Sequence, residues 1–182
     1  SSGLRVGRSA PARLHLVAWM LLVIGLQVIS AEFTTKRIGQ STPVAGATNR
    51  LTVTLVCDRQ LLAANGTKVT ISGLPGSIIA TNPVSLIDAG TDGEDLFAEG
   101  VTARAGHWTN GALILTLAQD AILQPSITYT FAFDVVNPSV TQSSPNLYIE
   151  ATGTENITIT QMTKPDTALY GVANGRNPLE VL

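Results

Sequence analysis

Residues 127–136 put Ile127, Tyr129, Phe131, Phe133 and Val135 on one side of a period-two ladder and Thr128, Thr130, Ala132 and Asp134 on the other, and the run closes at Asn137-Pro138. Such alternation predicts a β-strand with one buried face. The run holds one of the chain's three tyrosines and two of its four phenylalanines. Aromatic bulk concentrated on one face needs a second apolar face to cover it, so the rest of the chain is read for the strands that supply one.

Several segments qualify. Leu51, Val53, Leu55 and Cys57 alternate cleanly, Val69 and Ile71 share a face, and so do Leu113, Leu115 and Leu117. Leu147, Ile149 and Ala151 follow in one phase, and Ile157 and Ile159 mark a last strand. Between these, Asn65-Gly66 predicts a hairpin returning through residues 68–74. Asn82-Pro83 splits the apolar residues 78–87 into two short edge pieces. Residues 88–110 read as one long irregular stretch with Trp108 packed at the entrance of the strand that follows. The domain is expected over residues 49–162, preceded by an extended lead-in or edge strand (32–48) and followed by a linker or docking segment (163–182). Short strands separated by turn signals predict an all-β fold, a two-sheet antiparallel sandwich of about seven or eight strands. Immunoglobulin-like topology is the leading expectation and a jelly roll the alternative. With a single cysteine the chain lacks the Cys-Trp-Cys framework of antibody domains.

Composition narrows the function. Hydrophobic residues make up 45% and charged residues 13% of the 182 positions, which suits short strands and turns. Eleven basic against thirteen acidic residues form no basic stripe, so no nucleic-acid partner is expected. Cys57 falls in phase with core residues and reads as a buried, inert thiol. Residues 1–31 resemble a signal sequence: Arg5, Arg8 and Arg13 precede an apolar run of about 11 residues (16–26), and the small residues Ser30 and Ala31 follow. The alternative is an assembly segment, with Leu16, Trp19, Leu22 and Ile24 packed in a neighbouring subunit. At the other end Leu179 and Val181 are strand-like residues expected to dock on a neighbour or to continue into a following module. Membrane contact is expected only transiently, through the leader, or not at all.

The run Asn49-Arg-Leu-Thr-Val-Thr-Leu55, then Val69-Thr-Ile-Ser-Gly-Leu-Pro-Gly76, then Trp108 ahead of Leu113-Ile-Leu-Thr-Leu117, resembles a repeat module of large secreted or surface proteins of algae and related protists. Tyr129-Thr-Phe-Ala-Phe133, Val136-Asn-Pro138, Gln142-Ser-Ser-Pro145 and Ile149-Glu-Ala-Thr-Gly153 extend the likeness over residues 38–162. The resemblance implies a β-sandwich unit of an extracellular, glycosylated, filamentous protein, with no catalytic residues to carry over.

Two N-x-S/T sequons stand at Asn65 and Asn156, the first at the predicted hairpin tip and the second opposite in phase to Ile157 and Ile159, so both are expected to face solvent as candidate N-glycosylation sites and a covalent glycan is expected on at least one. The acidic stretch 88–99 offers Asp88, Asp92 and Asp95 as calcium candidates, but its spacing is not that of an EF-hand, and a solvated acidic loop without metal is the reading adopted. His107 is the one general-base candidate in the domain, and no nucleophile elbow, phosphate loop or zinc-ligand cluster accompanies it. No catalytic residue, enzyme activity or cofactor is expected. The expected role is a secreted structural subunit that assembles head to tail with copies of itself through its terminal segments. A cell-surface adhesin or carbohydrate-binding module is the alternative.

Overall fold

The computed structural model describes Gly3 and residues 30–182. The leader positions Leu16, Trp19, Leu22 and Ile24 lie outside the described residues. The described chain is all-β, and its largest feature is a nine-stranded antiparallel sheet.

Its centre is the strand anticipated from residues 127–136. That strand spans Tyr129–Val136 (β11, counting in chain order) and pairs along its full length with β2 (Thr48–Cys57), opposing Phe131 to Val53 and Phe133 to Leu51. Ile127 stays 49% exposed, outside the ladder. The other side of β11 pairs with β5 (Val84–Asp88). The lead-in forms β1 (Phe33–Gln40), the edge strand beside β2.

The second half of the sheet comprises β4 (Lys68–Ser72), β8 (Ala105–Thr109), β9 (Ala112–Thr116), β12 (Tyr148–Thr152) and β13 (Ile157–Gln161). The full order is β1-β2-β11-β5-β8-β9-β4-β12-β13. Val69 opposes both Leu115 and Ala151, and Ile71 opposes both Leu113 and Ile149, so the apolar phases coincide across three strands. The two halves meet at β5 and β8 through only two residue pairs, Val84 with Gly106 and Ser85 with Ala105. The minor pairs are β3 (Leu61–Leu62) with β10 (Ile122–Leu123), and β6 (Ala98–Glu99) with β7 (Thr102–Ala103). Three 3-10 turns, η1 (Ala64–Gly66), η2 (Gly93–Leu96) and η3 (Leu169–Gly171), complete the elements among the described residues.

Apolar residues from both halves form one buried cluster. Phe131 and Phe97 meet edge to face within it, their ring centroids 5.5 Å apart. Burying a side chain of this size fully contributes about 1.5–3 kcal/mol, so the coincidence of phases across the sheet is the main source of stability.

Three sequence expectations about the strands are corrected. Asn65 and Gly66 do adopt positive φ, at 59° and 62°, but β3 pairs with β10 and β4 with β9 and β12, so this turn carries the chain between sheet halves without closing a hairpin. The Asn-Gly hairpin is at Asn110-Gly111, with φ of 47° and 72°, where Thr109 opposes Ala112. β5 is interior, flanked by β11 and β8, and is not an edge piece. The stretch 88–110 holds η2, β6, β7 and β8, with Trp108 tied to Asn82 by reciprocal amide bonds of 3.1 Å.

The C-terminal segment folds back on its own domain. Thr163 bridges β1 in parallel, its N–H donating to the Lys36 carbonyl (2.8 Å) and its carbonyl accepting from Ile38 N–H (3.0 Å). Gln40 N–H donates to the Gly175 carbonyl, and Gln142 and Val181 exchange backbone bonds. Leu179 and Val181, expected against a neighbour, are buried against their own chain. A buried amide cluster locks this closure. The Asn49 amide donates to Gln40 Oε1 (2.9 Å) and Asn137 Oδ1 (2.8 Å), and Asn49 Oδ1 accepts from the N–H groups of Ser41 and Thr42. Asn137 then donates to the carbonyls of Thr42 and Val44, and Gln40 to those of Asn174 and Glu180.

Asn49→Ala orphans two buried amide oxygens at once, and unsatisfied buried acceptors cost about 1–3 kcal/mol each. Urea unfolding is expected to show a loss of about 2–4 kcal/mol; a loss below about 1 kcal/mol would mean that solvent replaces the amide.

Candidate functional site

The acidic stretch after β5 is pinned to the central strand. The Thr91 hydroxyl accepts from the Thr130 N–H, and Gly93 lies flush on the same residue, where an added Cβ would come within 2.8–3.0 Å of Thr130 backbone atoms. Only glycine fits that approach. Asp88 Oδ1 accepts from Gly90 N–H at 2.7 Å, and Asp92 takes a left-handed backbone (φ 49°). A turn this tight folds its carboxylates together. One oxygen from each of Asp88, Asp92 and Glu94 lies within 4.8 Å of the others.

The three differ in environment. Asp88 and Asp92 are exposed, whereas Glu94 is 1% exposed, and its Oε2 has no hydrogen-bond partner. Its Oε1 stands 3.9 Å from Arg104 Nη1. Asp95, a sequence candidate, is engaged elsewhere: it accepts from Arg104 Nε, and this bond raises the arginine's pKa above its usual value. Asp88 and Asp92 therefore gather as expected, but the third carboxylate is Glu94. Sequence reading passed over it because an acid beside a 3-10 turn shows no sign of burial in the chain alone.

Both sequon asparagines are exposed, Asn65 on η1 and Asn156 in the turn before β13. Thr67 of the first sequon is buried, its hydroxyl donating to the Ala64 carbonyl and accepting from Thr154 N–H, so this threonine has a structural task as well. Ile159, expected in the buried phase with Ile157, is 54% exposed.

That exposure belongs to an open seam between the two edge strands. Residues 30–33 and Lys36 on the β1 side face residues 157–160 of β13 across a slot of about 340 Å³. Beyond it the tail closes the seam at Thr163. A second hollow, about 270 Å³, lies among Ser41, Thr48, Arg50, Asp134 and Tyr170. Here Arg50 donates two bonds to the Asp134 carboxylate (2.8 and 2.9 Å), while Tyr170 Oη and Thr52 Oγ1 are 3.0 Å apart.

His107, on β8, faces Glu99 at 3.6 Å. Cys57 is fully buried, and burial pushes its thiol pKa up. No helix among the described residues is long and apolar enough to cross a membrane. Compared with protein-family models and with curated proteins, the chain matches none.

Because only the thiolate attacks, a buried thiol with a raised pKa reacts through opening of the fold. Cys57 is expected to react with an aromatic disulfide reagent more than about a thousandfold slower in the folded protein than in urea, given a stability of about 5 kcal/mol or more. Prompt reaction in the folded state would place the thiol at the surface.

Proposed function

We propose that this chain is a structural subunit of an extracellular filament or surface coat: a two-layer, immunoglobulin-like β-sandwich that carries N-linked glycans at Asn65 and Asn156 and associates with copies of itself. The observation that carries the reading is the open seam at β13. An edge strand presents unpaired backbone groups, and natural folds cover such edges or use them to bind another strand. The lower part of the β1 edge is sealed by the chain's own tail, whereas β13 beside the slot exposes Ile159 and has no partner beyond β12 among the described residues.

The strand directions suit an incoming chain. Thr163, just after β13, runs parallel to Arg37 of β1, so a strand entering between β13 and β1 can run antiparallel to both. The occupant is the apolar segment 16–26 of a neighbouring copy. With Leu179 and Val181 held within their own domain, the leader becomes the segment available for exchange, and repetition of one such heterologous contact gives an open fibre. Support for the layered arrangement comes from the one-faced apolar phases of β2, β11, β4, β9 and β12, which share a single core. The exposure of both sequon asparagines suits a secreted, glycosylated surface.

The hollow at Arg50, Asp134 and Tyr170 favours a second reading, a carbohydrate-binding module, because an exposed aromatic ring beside a polar fork is chemistry that sugars use. Binding on a glycan array, lost in Tyr170→Ala, would support it over assembly.

Ile159→Lys puts a charge on the open edge at a cost to the monomer of less than about 0.5 kcal/mol, the usual size for an exposed site. Filaments of the native chain seen by electron microscopy are expected to give way to monomers in this variant and on deletion of residues 1–29. Filaments that persist in both would remove the slot from the assembly, and density extending from Asn65 and Asn156 would identify the glycans.

A further inference from the structure

We propose that Asp88, Asp92 and Glu94 bind one Ca²⁺ ion. The inference starts from Glu94: its side chain is 2% exposed and its Oε2 has no partner. A buried carboxylate oxygen is normally paired, hydrogen-bonded or bound to a metal. Arg104 does not meet this need, because its Nη1 is 3.9 Å from the other oxygen, Oε1, and its Nε is committed to Asp95.

The arrangement of the neighbours points the same way. Ligand oxygens 2.3–2.6 Å from a calcium ion lie no more than about 5 Å from one another, and the three carboxylate oxygens fall within 4.8 Å. Without a cation this spacing brings three acidic side chains together, two exposed (Asp88, Asp92) and one buried (Glu94). With one, Asp88 and Asp92, both exposed, leave solvent within reach to supply waters toward the six to eight oxygens calcium prefers. The loop is held in this shape by contacts independent of any ion: Thr91 and Gly93 against Thr130, and Asp88 with the Gly90 N–H. Much of the ordering needed for coordination is therefore already present in the fold.

Calorimetric titration of the full chain with CaCl₂, after removal of divalent ions with EDTA, tests the site. One ion per chain is expected, with a Kd of about 10⁻³ M or tighter, and calcium at ten times Kd should multiply the folding equilibrium constant by about eleven. Asp92→Asn and Glu94→Gln are each expected to weaken binding at least tenfold. Asparagine tolerates the left-handed backbone at position 92, and Glu94→Gln removes a buried charge, so both variants should unfold in EDTA no more readily than the parent. The absence of saturable binding, or unchanged affinity in both variants, would overturn the proposal. The readout is ion binding by the single chain and does not depend on its state of assembly.

Discussion

The pairing of β11 with β2 is the interaction on which the rest depends. Eight consecutive residues are matched across that ladder, Tyr129 with Leu55 through Val136 with Thr48. A run that long fixes the phase of both strands, because slipping the register by one residue would turn every core side chain to the opposite face. Phe131 and Phe133 then meet the core, while Ala132 is fully buried on the other side, opposite Thr52. A small residue suits that outer position, since Tyr170 of the returning tail reaches Thr52 there. The same strand anchors distant parts of the chain at each end: Thr130 receives the acidic loop, and Asn137, one residue beyond it, joins the amide cluster that holds the tail.

An open nine-stranded sheet has two edges, and this chain treats them differently. Along β1 the tail supplies backbone partners at Lys36, Ile38 and Gln40. Gly39 and Gly175 allow the close approach, because a Cβ on Gly39 would come 2.7 Å from the Gly175 carbonyl oxygen. Leucine or lysine at either position would push the tail away and expose the edge. Nothing comparable covers β13 among the described residues. Within β13, Ile157 is buried whereas Ile159 is exposed. The asymmetry leaves the β1 margin covered by the tail from Lys36 to Gln40 and the β13 margin without a strand partner beyond β12 among the described residues.

The strands that bury one face were legible in the sequence because period-two alternation is a local property. β2, β4, β9, β11 and β12 all carry it, and all were anticipated. Two features escaped because they are decided by partners remote in the chain. Asn65-Gly66 and Asn110-Gly111 are the same dipeptide and both take positive φ at each residue, yet only the second joins paired strands. Turn chemistry dictates that the chain reverses; which ladder the outgoing strand then joins depends on β10, β9 and β12. The tail is the second case. Leu179 and Val181 read correctly as residues that need a cover, but their cover is Gln142 and the amides of their own domain, and no short-range pattern distinguishes a chain's own groove from a neighbour's. Interior β5 was hidden for a related reason, since Asn82-Pro83 lies just before the strand and leaves its ladder intact.

The acidic loop shows how far composition can mislead about position. Asp95 and Glu94 are adjacent, and the sequence candidates are Asp88, Asp92 and Asp95. The 3-10 turn decides otherwise: with Gly93 pressed on Thr130, the next side chain is directed into the protein and the following one outward to Arg104. Neutralising Asp95 with an arginine while leaving the more buried Glu94 oxygen without a donor runs against the usual ordering, in which the deepest charge is the best paired. Salt cannot compensate for the difference, because screening acts on exposed charges far more than on buried ones. A hard cation seated between Glu94 and the two exposed aspartates would restore that ordering beside the strand around which the sheet is built, since Asp88 pairs with Phe131.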